Sequence, residues 1–298
     1  MISTNMRDNR PIVAIRTLVY NHEIYLRDYF EGIIMQQTSF PFIAVIHDDC
    51  STDSSAKIIR EYADKYPEII KPIFEEQNCY QNGFWSEANK KMEDAYKNAK
   101  YIAYCEGDDY WTDPKKLQRQ VDFLETHPEY VAIAENGLVQ NSVSNTEYPF
   151  NLDPSHDVSM EEAIIKRRFP TAGVLRRKEA LDGFNKTCRY SIDTIQWCWL
   201  ISRGKLRYEN IISSVYRKGE QGMTIYTEPF DLAKKVEQWN LEILRIFDIK
   251  KDFMYKHIAQ SFYDCAKSAL RRCHIFSTIK CSLYSIAYAT KAILVKIC

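Results

Sequence analysis

The chain has 298 residues, 45% of them hydrophobic and 27% charged, enough to bury a large core without help from disulfides or metals. Forty Lys and Arg balance forty Asp and Glu, which argues against a generic nucleic-acid binder with its clustered basic excess. Nine cysteines, an odd number with no Cys-x-x-Cys pair, argue against zinc ribbons and thioredoxin-like sites and read as thiols of a reducing compartment.

The first residues, Met1 to Pro11, are polar and charged and read as no secretory signal, so the expected location is the cytoplasm. Ile12–Val19 is apolar and β-branched, and the amphipathic stretch Glu23–Gln36 follows it, which reads as strand, turn, helix. A second apolar run, Phe42–Ile46, ends in His47-Asp48-Asp49-Cys50-Ser51-Thr52-Asp53 before helical spacing over Ser54–Tyr66. A third strand, Ile69–Phe74, leads through a polar loop, Glu75–Gly83, to a helix over Ser86–Ala99. Tyr101–Cys105 then runs into Glu106-Gly107-Asp108-Asp109-Tyr110-Trp111, and Asp113-Pro114 opens a helix to Thr126. This alternation predicts an α/β fold, a mostly parallel sheet sandwiched by helices.

Beyond Tyr130 the rhythm changes. Strand-like Tyr130–Ala134 and Lys205–Tyr216 bracket a polar stretch (Asn141–Asp157), helices over Met160–Arg167 and Ile192–Ser202, and an apolar run at Ala172–Leu175. After Pro229 the pattern is helical to the end. The expected organisation is one domain over residues 10–225, divided into halves over 10–127 and 128–225, with a helical extension over 226–298.

In open α/β sheets ligands bind outside the carboxyl ends of the strands, and two of those ends carry paired aspartates, Asp48-Asp49 and Asp108-Asp109. Adjacent carboxylates repel each other unless a cation offsets them, and Mg²⁺ or Mn²⁺ takes such oxygen ligands together with substrate phosphates. The chain has no G-x-x-x-x-G-K-[ST] loop and no G-x-G-x-x-G turn, so diphosphate binding is expected to run through metal. Asp53 and Asp113 read as helix caps, and His47 as a strand-end residue rather than a ligand. Asp48-Asp49 on their own read equally well as a solvated turn.

Val19-Tyr20-Asn21, Asp48-Asp49-Cys50-Ser51-Thr52-Asp53 and Tyr101 to Pro114, in this order, resemble glycosyltransferase family 2, inverting enzymes of GT-A fold that use nucleotide-diphosphate sugars. The resemblance covers roughly residues 10–220 and implies a bacterial transferase that moves a sugar, from a UDP-sugar, to a hydroxyl of a growing surface glycan or lipid-linked acceptor. It implies that Asp49 contacts the nucleobase with Asp48 beside it, and that Leu18 lines the base pocket with Tyr20 close by. Asp108 would lie near ribose and diphosphate, and Asp109 would ligate Mg²⁺ or Mn²⁺. Asp193 matches the general base that deprotonates the acceptor, while its local reading alone is an N-cap for Thr194–Ser202.

One departure from the family stands out. Many relatives carry a histidine two residues after a Tyr-Arg pair, whereas Tyr216-Arg217 is followed here by Lys218 and Gly219, leaving Arg217 or Lys218 to meet the diphosphate. The alternatives are a sugar-phosphate nucleotidyltransferase, which would ordinarily show a glycine- and lysine/arginine-rich loop after the first strand, and a binding-only relative without turnover.

From Lys250 onward nine basic residues face two acidic ones, and Ile275, Ile279, Leu283, Ile286, Ile293 and Ile297 recur at helical spacing. Such a segment suits the inner face of an anionic membrane, and equally packing on the catalytic domain or a partner helix.

Overall fold

The computed structural model describes residues 11–219, 228–271 and 274–297. The polar start, Glu220, Arg272, Cys273 and Cys298 lie outside the described residues, as does the Ile297 side chain.

Strand β1 (Val13–Val19) is followed by α1 (Leu26–Ile34), β2 (Phe42–Asp48), α2 (Ser55–Lys65), β3 (Ile70–Phe74), the single turn α3 (Cys79–Asn82), α4 (Trp85–Ala95) and β4 (Tyr101–Tyr104). Next come β5 (Tyr110–Trp111), α5 (Lys116–Thr126), β6 (Tyr130–Asn141), β7 (Thr146–Pro149), β8 (His156–Asp157), α6 (Met160–Ile165), β9 (Val174–Arg177), α7 (Phe184–Thr187), α8 (Asp193–Arg203) and β10 (Lys205–Lys218). Three long helices complete the described chain: α9 (Pro229–Ile246), α10 (Lys251–Arg271) and α11 (Ile275–Ile297).

By chain contacts the protein divides into two compact units. The first comprises the chain up to Ser159 with Arg168–Leu181 and Arg203–Lys218; the second comprises Met160–Arg167, Asp182–Ser202 and the chain from Gly219 onward.

The first unit is built on one sheet in the order β3-β2-β1-β4-β9-β6-β10-β5, with β7 on β6 and β8 on β10. β3, β2, β1 and β4 are parallel, as are β6 and β10, while β9 lies antiparallel between β4 and β6. The sheet is therefore mostly parallel, as expected; β9, β7, β8 and the short β5 run antiparallel to it, and all but β5 come from the irregular second half. Val13, Ile15, Val19, Ala44 and Ile46 pack with Leu26, Tyr29, Phe30, Ile59 and Leu117 in one apolar core, and strands covered on both faces are apolar at nearly every position.

Two local differences from the sequence reading have clear causes. The first helix starts at Leu26 rather than Glu23, because His22 to Tyr25 form a turn in which the Tyr25 N–H donates to the His22 carbonyl at 2.9 Å. The polar loop at Glu75–Gly83 contains α3, whose N-terminal N–H groups are taken by Asn78 and Asp49 and which ends on Gly83 in the left-handed region (φ 80°).

In the second unit α9, α10 and α11 pack on one another through Ala233, Ile243, Met254, Ile258, Phe262, Cys281, Tyr288 and Ala292. The stripe expected on the last helix is not its packing face: Ile275, Ile279, Leu283, Ile286 and Ile293 are exposed. Glu228 caps α9 through the Phe230 N–H and also accepts from His274 Nδ1 at 2.8 Å and Ser277 Oγ at 2.7 Å, tying the starts of α9 and α11 together. Those donors hold its carboxyl down at about 2. A depressed folded-state pKa gives stability that is complete above the unfolded value and lost as pH falls through the folded one. Wild type and Glu228→Gln should therefore differ in urea midpoint above about pH 5 and converge towards pH 2, followed by helical circular dichroism; a difference independent of pH would remove this ionic contribution.

Candidate active site

The first unit brings Leu18, Tyr20, Asp48, Asp49, Asp108 and Asp109 to one end of the sheet. The Asp49 N–H donates to the Val19 carbonyl at 2.9 Å and the Gly107 N–H to the Leu18 carbonyl at 3.1 Å, so both aspartate loops flank the end of β1. Leu18 is half-buried in β1, and Tyr20 is exposed just beyond it.

Side chains make this arrangement specific. The Asn21 N–H donates to Ser51 Oγ at 2.9 Å, and Ser51 Oγ donates in turn to Asp48 Oδ1 at 2.5 Å. Thr52 N–H reaches Asn21 Oδ1, and Asp53 accepts from the Glu23 and Ser55 N–H groups at 3.0 and 2.9 Å. Asp53 thus serves the first turn of α2, as its capping reading implied, and also closes the loop against β1. Cys50 sits at φ 61°, a left-handed conformation that costs a side-chain-bearing residue roughly 1–2 kcal/mol and is held here by its neighbours.

Asp48 and Asp49 are both buried rather than solvated. Burial raises the Asp48 carboxyl, against the hydrogen bonds from Ser51. Asp49 Oδ1 accepts from the Cys79 N–H at 2.6 Å and Oδ2 from the Tyr80 N–H at 3.2 Å, so this carboxylate fixes α3 beside the sheet.

In the acidic run after β4 the three carboxylates have different tasks. Glu106 Oε2 accepts the Leu18 N–H at 2.9 Å and anchors the loop to β1. Asp109 is buried and its Oδ1 accepts the Arg217 N–H at 2.9 Å, while Asp108 remains half-exposed. A Cβ on Gly107 would lie 2.8 Å from Val19 Cγ2 and 2.9 Å from His22 Nδ1, so only glycine lets the loop approach this closely. Trp111 closes the run, buried and donating from Nε1 to the Ala172 carbonyl at 2.8 Å.

Arg217, offered by the sequence as a diphosphate contact, is also engaged within the protein. Its guanidinium donates to the Asp108 carbonyl at 3.1 Å, pairs with Asp28, and lies 4.4 Å from the centre of the Tyr110 ring and 5.1 Å from that of Tyr25. The sequence reading also passed over His22. Its Nδ1 is buried with no hydrogen-bond partner among the described residues, and burial holds the imidazole below its ordinary range against the pull of Asp108, Asp53 and Asp48.

Two donor sets are relevant to a metal. Asp108 and Asp109 offer hard oxygens, one of them half-exposed, which fits Mg²⁺ or Mn²⁺. Beside Asp49, the ligand atoms of His47, Glu75 and Cys79 lie within 4.8 Å of one another, a nitrogen, oxygen and sulfur set of the kind zinc takes. There Glu75 is already matched by Lys91 Nζ at 2.5 Å and His47 Nε2 at 3.1 Å, and burial pushes the Cys79 thiol up to about 11. The oxygen pair is the better match to a catalytic divalent ion.

Asp193 belongs to the second unit, so the structure does not group it with these residues. It is the first residue of α8 rather than its cap, is 46% exposed at the side chain, and lies 3.6 Å from the Arg167 guanidinium.

The model of glycosyl transferase family 2 matches residues 15–204. An uncharacterized protein of Mycobacterium tuberculosis is 34% identical over 169 residues, 56% of this chain and 47% of its own length. TuaG of Bacillus subtilis, named as a teichuronic acid biosynthesis glycosyltransferase, is 32% identical over 120 residues, 40% of this chain and 44% of its own. The chain spans about half the length of these curated relatives. Among solved structures, Staphylococcus aureus TarS 1–349 with UDP-GlcNAc superposes with a TM-score of 0.60 at 18% identity, covering 85% of this chain and 72% of that one. The Pyrobaculum calidifontis mannosyltransferase PcManGT with GDP-Man and Mn²⁺ gives 0.56 at 15% identity, covering 95% and 87%. These likenesses establish the shared sheet architecture of the GT-A type.

Proposed function

The chain belongs to glycosyl transferase family 2, and we propose that it transfers a sugar, with inversion, from a UDP-sugar to a hydroxyl of a surface glycan or lipid-linked saccharide. The observation that carries this reading is the meeting of the Asp48-Asp49 and Asp108-Asp109 loops at the end of β1. TuaG is named for a surface polymer, and TarS binds UDP-GlcNAc, which supports the acceptor and donor classes. The reaction would take place in the cytoplasm, where nucleotide-activated sugars are made.

In the proposed mechanism Leu18, Tyr20 and the loop after β2 receive the nucleotide, and the carboxylate of Asp49 keeps lone pairs beyond its two N–H bonds for the base. Asp48 braces that loop through Ser51. Asp108 and Asp109 would hold Mg²⁺ or Mn²⁺, the ion that PcManGT carries. When bound, that ion neutralises the charge that grows on the departing diphosphate. Arg217 keeps the Asp108-Asp109 segment in place from the neighbouring strand. Asp193 takes the acceptor hydroxyl proton as the oxygen attacks the anomeric carbon from the face opposite the diphosphate; one C–O bond forms, the bond to phosphate breaks, and UDP leaves with its electron pair.

The test is release of UDP from a panel of UDP-sugars, with GDP-mannose alongside, in Mn²⁺, in Mg²⁺ and in chelator. Metal-dependent UDP release from one donor is expected. Release from GDP-mannose alone would overturn the UDP assignment, and calorimetric UDP binding with no release in the presence of saccharide acceptors would indicate a binding-only relative.

A further inference from the structure

Helix α11 is apolar on two opposite sides. One side, Cys281, Tyr288 and Ala292, is buried within the helical unit. The other carries Ile275, Phe276, Ile279, Leu283, Ile286, Ile293 and Leu294, all more than half exposed, with Phe276 at 82% and Ile286 at 64%. At 3.6 residues per turn these positions fall on one face of the helix, broken by Thr290 between Ile286 and Ile293. Scattered exposed apolar residues need no explanation; seven of them on one face of one helix mark a surface that meets something apolar.

Charge identifies the occupant. From Cys265 to Cys298 the sequence has no Asp or Glu and six basic residues, Lys267, Arg271, Arg272, Lys280, Lys291 and Lys296. Lys280 and Lys291 border the strip, their ammonium groups 5.2 Å from the Phe230 ring centre and 4.5 Å from that of Tyr288. A helix paired with a second copy of itself would set this positive charge against its own kind, whereas an anionic lipid surface supplies the opposite charge and the apolar phase together. Among the described residues no helix is long and apolar enough to cross a membrane, so the contact is one of lying on the surface.

We propose that the outer strip of α11 docks on an anionic lipid bilayer, the apolar side chains entering the headgroup and acyl boundary and the flanking lysines meeting lipid phosphates. The proposal does not depend on the transferase reading, since binding is measured without donor or acceptor. The test is co-sedimentation of the full chain with phosphatidylcholine vesicles and with vesicles containing about one-third phosphatidylglycerol, at low and high salt. The wild type should bind the anionic vesicles, and high salt should weaken that binding. Leu283→Glu with Ile286→Glu should reduce it roughly tenfold or more, and Lys280→Gln with Lys291→Gln should lower it towards the neutral-vesicle level. Leu283 and Ile286 are off the packed face, whereas Lys280 and Lys291 touch the Phe230 and Tyr288 rings, so unchanged helical circular dichroism of both double variants, together with the milder Ile279→Ser and Leu283→Ser pair, checks that folding is intact. Absence of anionic-vesicle binding by the wild type, or binding undiminished in the Leu283→Glu, Ile286→Glu chain, would overturn the proposal. So would a wild-type dimer that those substitutions convert to monomer without altering vesicle binding, which would assign the strip to a second copy of the chain.

Discussion

Asp109→Asn is expected to reduce metal-dependent release of UDP by at least 100-fold while leaving the thermal midpoint within a few degrees of wild type. The two halves of this expectation come from different atoms. Asp109 is buried and its Oδ1 accepts the Arg217 N–H at 2.9 Å, a bond an asparagine carbonyl can also accept, so the contact between the β4 loop and β10 survives. Lost is the negative charge, and a neutral amide is a poor ligand for a hard divalent ion. Asp109→Ala differs, because it leaves the Arg217 N–H buried without this acceptor, at about 1–3 kcal/mol. Comparing the two variants separates chemistry from folding: kcat lost in both but stability lost only in the alanine variant supports the metal role. Asparagine-variant rates equal to wild type at every Mn²⁺ concentration would show that Asp109 is a structural acceptor and no more.

How far the sequence disclosed this site depended on whether a residue acts within its own segment. The strands of the first half were legible because a strand covered on both faces is apolar at almost every position, and Val13–Val19 and Phe42–Asp48 appear within two residues of where hydropathy put them. The aspartate pairs were legible because like charges at a strand end ask for a partner. The surroundings of Arg217 were not legible because they are assembled from elsewhere: Asp28 on α1, Tyr25 before it, and Asp108 and Tyr110 after β4 are up to 192 positions away in sequence, and no local pattern at Tyr216-Arg217-Lys218 reports them. Glu106 anchors the Leu18 N–H, a contact that only the register of β1 against the loop reveals. The irregular second half resisted reading for the same reason. Val174–Arg177 is a four-residue antiparallel strand inserted between β4 and β6, and its place in the sheet follows from pairing with two distant strands, not from its own hydropathy.

Asp193→Asn should lower sugar transfer by about 10²–10⁴-fold while UDP affinity, measured by calorimetry, stays within about threefold of wild type. Asp193 occupies the first position of α8, where a carboxylate also interacts favourably with the helix N-terminus, and its neighbour Arg167 is 3.6 Å away. Asparagine keeps the size and the acceptor oxygen but cannot take a proton, so a helix-start role would move stability and leave chemistry, whereas a general base would do the reverse. Because the side chain is 46% exposed, its ion pair with Arg167 is worth at most about 1 kcal/mol, too little to unfold the unit when removed. A drop in transfer with full donor affinity and an unchanged melting point would therefore mark Asp193 as the base. Full transfer by the asparagine variant would sink that assignment and leave the residue as a helix-start carboxylate.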